Sequence, residues 1–227
     1  MKAIKFLVVA VLASFAVEAS AQLKKDLTEW TRIELSFDAQ KFKEESWDYD
    51  SKTTLEPKGA SFAIMKGISL TDKLPIFLDL GGRLSWTHQK LEWHEEDWYE
   101  GELINEVDKF TFMNIAVPVN AAYKIAFEST PNVTIVPFFG LNFKFNFFAR
   151  EKFESDGLES YEKKYNLLKE EEGDAKIFQF GLNLGVGVNL RSFYVGYNFQ
   201  PDLSPFMKDG SDKLKTLQNY ITVGINI

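Results

Sequence analysis

The residues best suited to acid–base or metal chemistry lie in one short acidic segment. The chain has only two histidines, His88 and His94, and no cysteine. Imidazole and carboxylate groups ligate divalent ions and exchange protons, so His94 with Glu95, Glu96 or Asp97 is a candidate metal or catalytic site. Adjacent residues of an extended chain point to opposite sides, however, and the spacing matches no HExxH pattern. A solvated acidic loop is the simpler interpretation, so we expect no enzyme activity and no bound metal or cofactor.

Aromatic residues in long polar segments are the second group that could act on a ligand. Trp93, Trp98 and Tyr99 belong to the histidine segment, and Tyr161 and Tyr165 belong to a later charged one. Such rings form recognition surfaces for glycans or proteins. Anchoring at a membrane boundary is the simpler alternative, because amphipathic rings collect there without any ligand.

The elements that must position these residues are strands. Side chains alternate between apolar and polar over many segments, as in Leu141-Asn142-Phe143-Lys144-Phe145-Asn146-Phe147. Period-two alternation places the two kinds of residue on opposite faces of a strand, whereas a helix would mix them. The predicted strands are 30–39, 59–70, 75–88, 109–124, 132–148, 176–189, 192–200 and 216–227.

The second predicted strand breaks the pattern at one position. Lys66 falls on the same face as the apolar residues Phe62, Ile64, Ile68 and Leu70. Either Gly67 marks a β-bulge or the register of this strand differs from the alternation, and the sequence leaves both open.

The connections alternate in length. They are short near 71–74, 125–131 and 189–191, and they are long and acidic near 40–58, 89–108, 149–175 and 201–215. Up-and-down barrels of bacterial outer membranes have short periplasmic turns and longer extracellular loops. This order therefore predicts an all-β, eight-stranded antiparallel up-and-down transmembrane barrel with periplasmic termini.

A recurring set of charged residues faces away from the apolar side of the strands. The set is Arg32, Glu34, Asp38, Asp79, Arg83, Lys124 and Lys144. In a soluble barrel these residues would face solvent, and in a membrane barrel they would face the lumen; both placements satisfy the alternation. The 21 phenylalanines, with aromatic girdles expected from Trp30, Trp86, Tyr123 and Tyr197, favour a lipid-facing exterior. We therefore predict an internal charge network, because isolated ions in so narrow a lumen are costly.

The first residues predict export. Lys2 and Lys5 precede an apolar run from Phe6 to Val17, and the small residues 19–21 then suit a signal peptidase. The run is too short for a membrane-spanning helix, which needs about 20 residues. We predict a cleaved signal peptide at 1–21 and one barrel domain at 22–227. The formal net charge of −7 argues against nucleic acid, whose binding requires neutralised phosphates.

Several segments, in their order along the chain, resemble the PorT-like family of outer-membrane β-barrels. They are Ile115-Ala116-Val117-Pro118-Val119-Asn120-Ala121-Ala122-Tyr123-Lys124, Val136-Pro137-Phe138-Phe139-Gly140-Leu141, Gly185-Val186-Gly187 and Tyr220-Ile221-Thr222-Val223-Gly224-Ile225-Asn226-Ile227. The resemblance implies an eight-stranded barrel built like small OmpA-like and OmpX-like proteins, most of which have no assigned activity. Such chains usually end in an aromatic residue, whereas this one ends in Ile227.

Three functions remain open on these grounds. The first is a structural or surface-interaction protein with a filled lumen that displays its long loops outside the cell. The second is a transport or secretion-accessory component, either a narrow channel or a PorT-like subunit, and an outer-membrane enzyme is a third alternative. The expected partners are outer-membrane lipid, the barrel-assembly machinery and periplasmic chaperones during biogenesis, and an unidentified extracellular or envelope partner. We expect a monomer.

Overall fold

The computed structural model describes residues 23–44, 55–96, 103–130, 132–156, 160–169, 173, 175–209 and 212–227. Eight long strands follow one another in these ranges: β1 (Trp30–Glu44), β2 (Lys58–Ser69), β3 (Ile76–Glu96), β4 (Leu103–Tyr123), β5 (Val133–Asp156), β6 (Phe178–Leu190), β7 (Phe193–Pro201) and β8 (Asp212–Asn226). Four short strands, Leu23–Lys24, Ile125–Phe127, Tyr161–Asn166 and Met207–Asp209, pair with the sheet at its ends. The described residues include no helix of the length and apolarity needed to cross a bilayer. The predicted signal peptide lies outside the described residues.

The long strands close into a barrel. Each pairs antiparallel with the next along the chain, and β8 pairs back onto β1, with Ile225 opposite Ile33. Closure leaves the ring without an edge strand, so its backbone groups are satisfied within the sheet. The eight-stranded antiparallel up-and-down barrel predicted from the alternation is therefore confirmed.

The barrel carries apolar residues on its exposed outer face and mostly polar residues inside, which is the reverse of a soluble protein. In β1 the exposed residues are Ile33, Leu35 and Phe37, and the buried ones are Arg32, Glu34, Ser36 and Asp38. The other long strands repeat this alternation, with apolar residues outside and mostly polar ones inside. A continuous apolar exterior around a polar lumen is the pattern of a barrel whose outer wall contacts lipid. The fold is a transmembrane β-barrel.

The register of β2 follows the alternation without a bulge. Lys66 pairs with Leu80 and Gly67 pairs with Asp79 in an unbroken ladder with β3. Lys66 points outward near the end of the strand, where its ammonium lies 3.9 Å from Glu29. The bulge considered at Gly67 is therefore wrong. The ladder between β4 and β5 does shift, between Met113 and Asn114.

Two segments predicted as loops are largely strand. The barrel end where β1 begins and β8 ends is called the terminal rim here, and the opposite end the extended rim. Beyond the extended rim, residues 89–96, 103–110, 150–156 and 161–166 continue as four neighbouring antiparallel strands, which we call the extended sheet. The expected loops at 89–108 and 149–175 are wrong to this extent. Both faces of these segments carry polar residues, so the alternation that marks a half-buried strand is weak, although backbone pairing continues.

The connections at the terminal rim are short, as predicted. Leu70 donates its backbone N–H to Ile76 across the β2–β3 turn. Arg191, between β6 and β7, adopts a left-handed backbone with φ of 59°. This conformation is uncommon for a residue with a Cβ, and it is held by the Arg191 N–H donating to Asn132 across the rim.

Candidate functional site

The central part of the lumen is occupied by a compact ion cluster. Glu34 lies between two guanidinium groups, with Oε1 at 2.5 Å from Arg32 Nε and Oε2 at 2.6 Å from Arg83 Nη2. Asp79 lies 3.6 Å from Arg32 on the other side. All four side chains are almost fully buried. Each charge thus has an opposite charge as its neighbour, which offsets the loss of hydration.

Two tyrosines that the sequence analysis missed complete this cluster. Arg32 lies over the ring of Tyr194 at 3.8 Å, and Arg83 lies over the ring of Tyr220 at 4.6 Å. Cation–π contact is strong where the cation is desolvated. The alternation alone could have placed both tyrosines in the lumen, because they fall on the polar face of their strands.

Asp38 lies in the lumen beside the central cluster, and its carboxylate accepts a hydrogen bond from a serine hydroxyl group. Ser61 Oγ donates to Asp38 Oδ1 at 2.9 Å, and Arg83 Nη1 donates to the same Ser61 at 3.1 Å. Arg83 also donates to Ser36 at 2.6 Å. Asp38 is therefore connected to the guanidinium through a serine and makes no direct ion pair with it.

Lys144 belongs to a second cluster nearer the extended rim. Its Nζ lies 2.6 Å from Asp202 Oδ2, and both side chains are 1% exposed. Thr216 donates to the same carboxylate, and Gln179 Nε2 lies 3.2 Å from it. The predicted charge network did not include this partner, because Asp202 enters the lumen from the segment after β7. Sequence reasoning missed Asp202 because it lay in a predicted loop.

Lys124 is at the terminal rim, and it too has a partner that was not predicted. Its Nζ lies 3.0 Å from Asp26 Oδ2 and 3.0 Å from the carbonyl of Thr28. Partial burial opposes ionisation of Asp26, but hydrogen bonds from Thr28 and Lys124 lower its pKa below the usual value. The seven predicted charges therefore lie in separate clusters along the lumen and its terminal rim, and they do not form a single network.

Among the described residues, side chains fill most of the lumen between its two rims. The void in the central cluster has a volume of about 10 Å³, which is close to the minimum needed for one water molecule. Toward the extended rim, an apolar plug is formed by Phe42, Phe112 and Phe206, whose ring centroids lie 5.0–5.7 Å apart. Leu167 packs into the same plug from outside the long strands.

Toward the terminal rim, Trp30 fills the lumen. Its ring packs on Phe77 at 4.6 Å, and its Nε1 donates to Asp79 at 3.2 Å. The expectation that Trp30 belongs to an exterior girdle is wrong, since Trp30 shares the inward face of β1 with Arg32. Trp86, Tyr123 and Tyr197 do face outward. A cavity of about 320 Å³ opens below Trp30 at this rim.

The predicted recognition residues are only partly described. Tyr161 is exposed at the edge of the extended sheet and packs on Phe153 at 5.6 Å. Tyr165 instead packs partly against the apolar plug, which reduces the surface it offers to a partner. Trp98 and Tyr99, and the side chain of Trp93, lie outside the described part of the structure.

No metal centre is found in the described part of the chain, where no three histidine, cysteine or carboxylate residues come together. His88 forms a hydrogen bond with Thr111 Oγ1 at 2.9 Å and stacks on Trp86. The side chains of the other predicted candidates, His94, Glu95, Glu96 and Asp97, lie outside the described residues, so that hypothesis stays untested.

Comparison with known proteins gives structural likeness alone. No family model matches the chain, and no curated protein sequence matches it. Crystal structures of Ail, the attachment invasion locus protein of Yersinia pestis, resemble it with TM-scores of 0.43 and 0.41 at 12% and 14% identity. They cover 88% of this chain and 99% and 98% of Ail, and one holds the heparin analogue sucrose octasulfate. Neisserial surface protein A resembles it with a TM-score of 0.42 at 11% identity, over 87% of this chain and 97% of that one. The barrel is established by its own strand pairing, and the resemblance to the PorT-like family stays a prediction.

Proposed function

We infer that this protein is a bacterial outer-membrane barrel that binds a partner outside the cell through the extended sheet. The termini then lie on the periplasmic side, and the extended rim faces outward. The barrel itself contributes anchorage and carries out no reaction. The observation that carries this proposal is the combination of a filled lumen with a sheet that continues well beyond the apolar wall.

The filled lumen argues against conduction as the main task. Eight strands leave an interior only wide enough for side chains, and here the ion clusters, the apolar plug and Trp30 occupy it. A transport role would require these groups to move. The secretion-accessory alternative remains compatible with a closed barrel, since it needs only a binding surface.

The extended sheet offers such a surface. Residues 89–96 extend about 25 Å along the strand direction and pair on one side with β4. On their other side no strand pairs with them among the described residues, and the same is true of Tyr161–Asn166 at the opposite edge. Open edges accept an added strand by main-chain hydrogen bonding, and the side chains beside them supply specificity.

The experiment is photo-crosslinking in whole cells. A crosslinking amino acid is placed at Leu91 or at Tyr161, on the two edges of the extended sheet, and as a matched control at the lipid-facing Ile221. We expect one protein to be captured from both edge positions and not from Ile221. The barrel with residues 91–108 replaced by a tight turn should still insert but should fail to restore a deletion strain. Full restoration by the shortened protein would overturn the proposal.

A further inference from the structure

One face of the extended sheet carries a row of lysines in direct cross-strand register. Lys90 pairs with Lys109, Lys109 pairs with Lys152, and Lys152 pairs with Lys164. The four residues thus cross four neighbouring strands in one line, and we call them the lysine row. Like charges directly opposite each other destabilise a sheet. The row therefore requires negative charge beside it.

Carboxylates on the same face neutralise the row only in part. The next row outward consists of Glu92, Val107, Glu154 and Glu162 in the same register. Valine occupies the position where a fourth carboxylate would stand. Lys109 and Lys152 share Glu154, at 2.6 Å and 2.5 Å. Lys152 and Lys164 share Glu162, at 2.7 Å and 2.6 Å, and Lys90 pairs with Glu92. Within these two rows four ammonium groups face three carboxylates, an excess of one positive charge in a chain whose net charge is −7.

The position of the row relative to the membrane is set by the strands themselves. Along the outward face, the lipid-facing pair Leu84 and Ile115 is followed by Trp86 and Met113, and then by His88 and Thr111. The lysine row comes next. It lies four residues beyond Trp86, which corresponds to about 13 Å along a strand and about 10 Å along the normal of a tilted barrel.

The charges on this face change sign with distance from the apolar wall. Lys58 and Arg150 share the His88 row on the membrane side of the lysine row, whereas the glutamate row lies on the far side. Basic groups therefore lie nearer the membrane and acidic groups farther from it. Flexible lysine stems allow their ammonium groups to reach back toward the headgroup layer.

From this order we propose that the lysine row binds phosphate groups of lipids in the leaflet that surrounds the extended rim. Lipid phosphates supply the negative charge that the glutamate row lacks, and the continuity of the lysine row with the apolar wall places it beside lipid. A soluble polyanion is less favoured, because the lipid-facing residues of the same strands lead directly to the row. This proposal rests on the orientation given under the proposed function, but it concerns a different face from the open edges.

The test uses the full-length mature protein refolded into three kinds of vesicle. These contain phosphatidylcholine alone, phosphatidylcholine with diphosphorylated lipid A, or phosphatidylcholine with lipid A stripped of its phosphates. The lipid A that stays bound after detergent extraction is measured by mass spectrometry. Insertion is checked in every sample by the change of gel mobility on boiling, which is independent of lipid A retention and of partner capture.

We expect retention of the phosphorylated lipid and none of the stripped one. Joint K109Q and K152Q substitution should weaken retention about thirtyfold, which is the combined effect of two lysines that each contribute about fivefold at an anionic surface. The matched control, K25Q with K73Q at the terminal rim, removes the same charge and should change nothing. E92Q, which removes a competing carboxylate beside Lys90, should raise retention, an outcome that misfolding cannot produce.

Three results would overturn the proposal. One is equal retention of lipid A by the wild type and the K109Q/K152Q protein. Another is equal retention of the phosphorylated and stripped lipids. The third is tight binding of a sulfated oligosaccharide in phosphatidylcholine vesicles that is lost in K109Q/K152Q and not displaced by lipid A, which would assign the row to a soluble polyanion. None of these three results would change the crosslinking expected at Leu91 and Tyr161, which tests the proposed function separately.

Discussion

Lys144 and Asp202 form an ion pair of 2.6 Å inside the barrel although 58 residues separate them in the chain. Lys144 lies in the middle of β5, whereas Asp202 follows the end of β7 and turns into the lumen beside Gly181. A Cβ on Gly181 would lie 2.8 Å from the Asp202 carboxylate, so glycine gives this side chain its space. The pair joins the segment after β7 to the barrel wall.

Removing one partner of this ion pair should lower the stability of the barrel. Replacing both partners with apolar residues should lower it much less. In Asp202→Asn the Lys144 ammonium stays buried without its counter-charge, for which we expect a loss of about 3–5 kcal/mol. The double substitution Lys144→Met with Asp202→Leu removes both charges and should recover most of that loss. Urea unfolding in detergent micelles measures both. Asp72→Asn, on an exposed turn, is the control and should be neutral; an equal loss in the single and double variants would contradict the assignment.

Removing one ring of the apolar plug should not create a conducting pore through the barrel. Phe42→Ala removes a ring packed between Phe112 and Phe206, and we expect a loss of stability of about 3–5 kcal/mol. The ion cluster around Glu34 still fills the lumen below the plug. Planar-bilayer recordings should therefore show no steady conductance for the wild type or for this variant. A steady conductance of the wild type would refute a filled lumen and favour the transport alternative.

Two glycines in neighbouring strands should respond differently to the same change. A Cβ at Gly67 would overlap the ring of Trp30, so Gly67→Ala should destabilise the barrel by about 1–3 kcal/mol. Gly82 faces outward, and a methyl group added there would meet no atom within 4 Å, so Gly82→Ala should be tolerated. Heating in detergent, followed by gel mobility, distinguishes them. Equal behaviour would mean that Trp30 does not occupy the lumen.

The extended sheet should loosen in acid before the barrel does. Hydrogen bonds from Lys109 and Lys152 lower the pKa of Glu154 to about 2 from an ordinary value of 4.5. A depressed carboxyl pKa stabilises the folded form above the ordinary value, and the effect is lost as the pH falls through about 2. We therefore expect hydrogen-exchange protection of residues 150–156 to decline from pH 4.5 to about 2, while protection of the barrel amides stays constant. In Glu154→Gln this decline should be absent or much reduced.

The sequence by itself determined which residues face inward. Period-two alternation is a local property of each strand, because successive side chains must point to opposite faces whatever the strand pairs with. Arg32, Glu34, Asp38 and Asp79 were assigned to the lumen on that ground, and all four are buried. The same alternation also places Trp30 inward, although its aromatic character suggested the exterior.

Only the tertiary structure decided which inward residues meet. Partners depend on the register of strands far apart in the chain, so Lys124 contacts Asp26 and Lys144 contacts Asp202. The extended sheet and its lysine row are likewise consequences of register, since polar faces on both sides leave no hydrophobic alternation to read. Alternation depends only on residues that are neighbours in the sequence, whereas register is fixed by the pairing of all eight strands in the closed barrel.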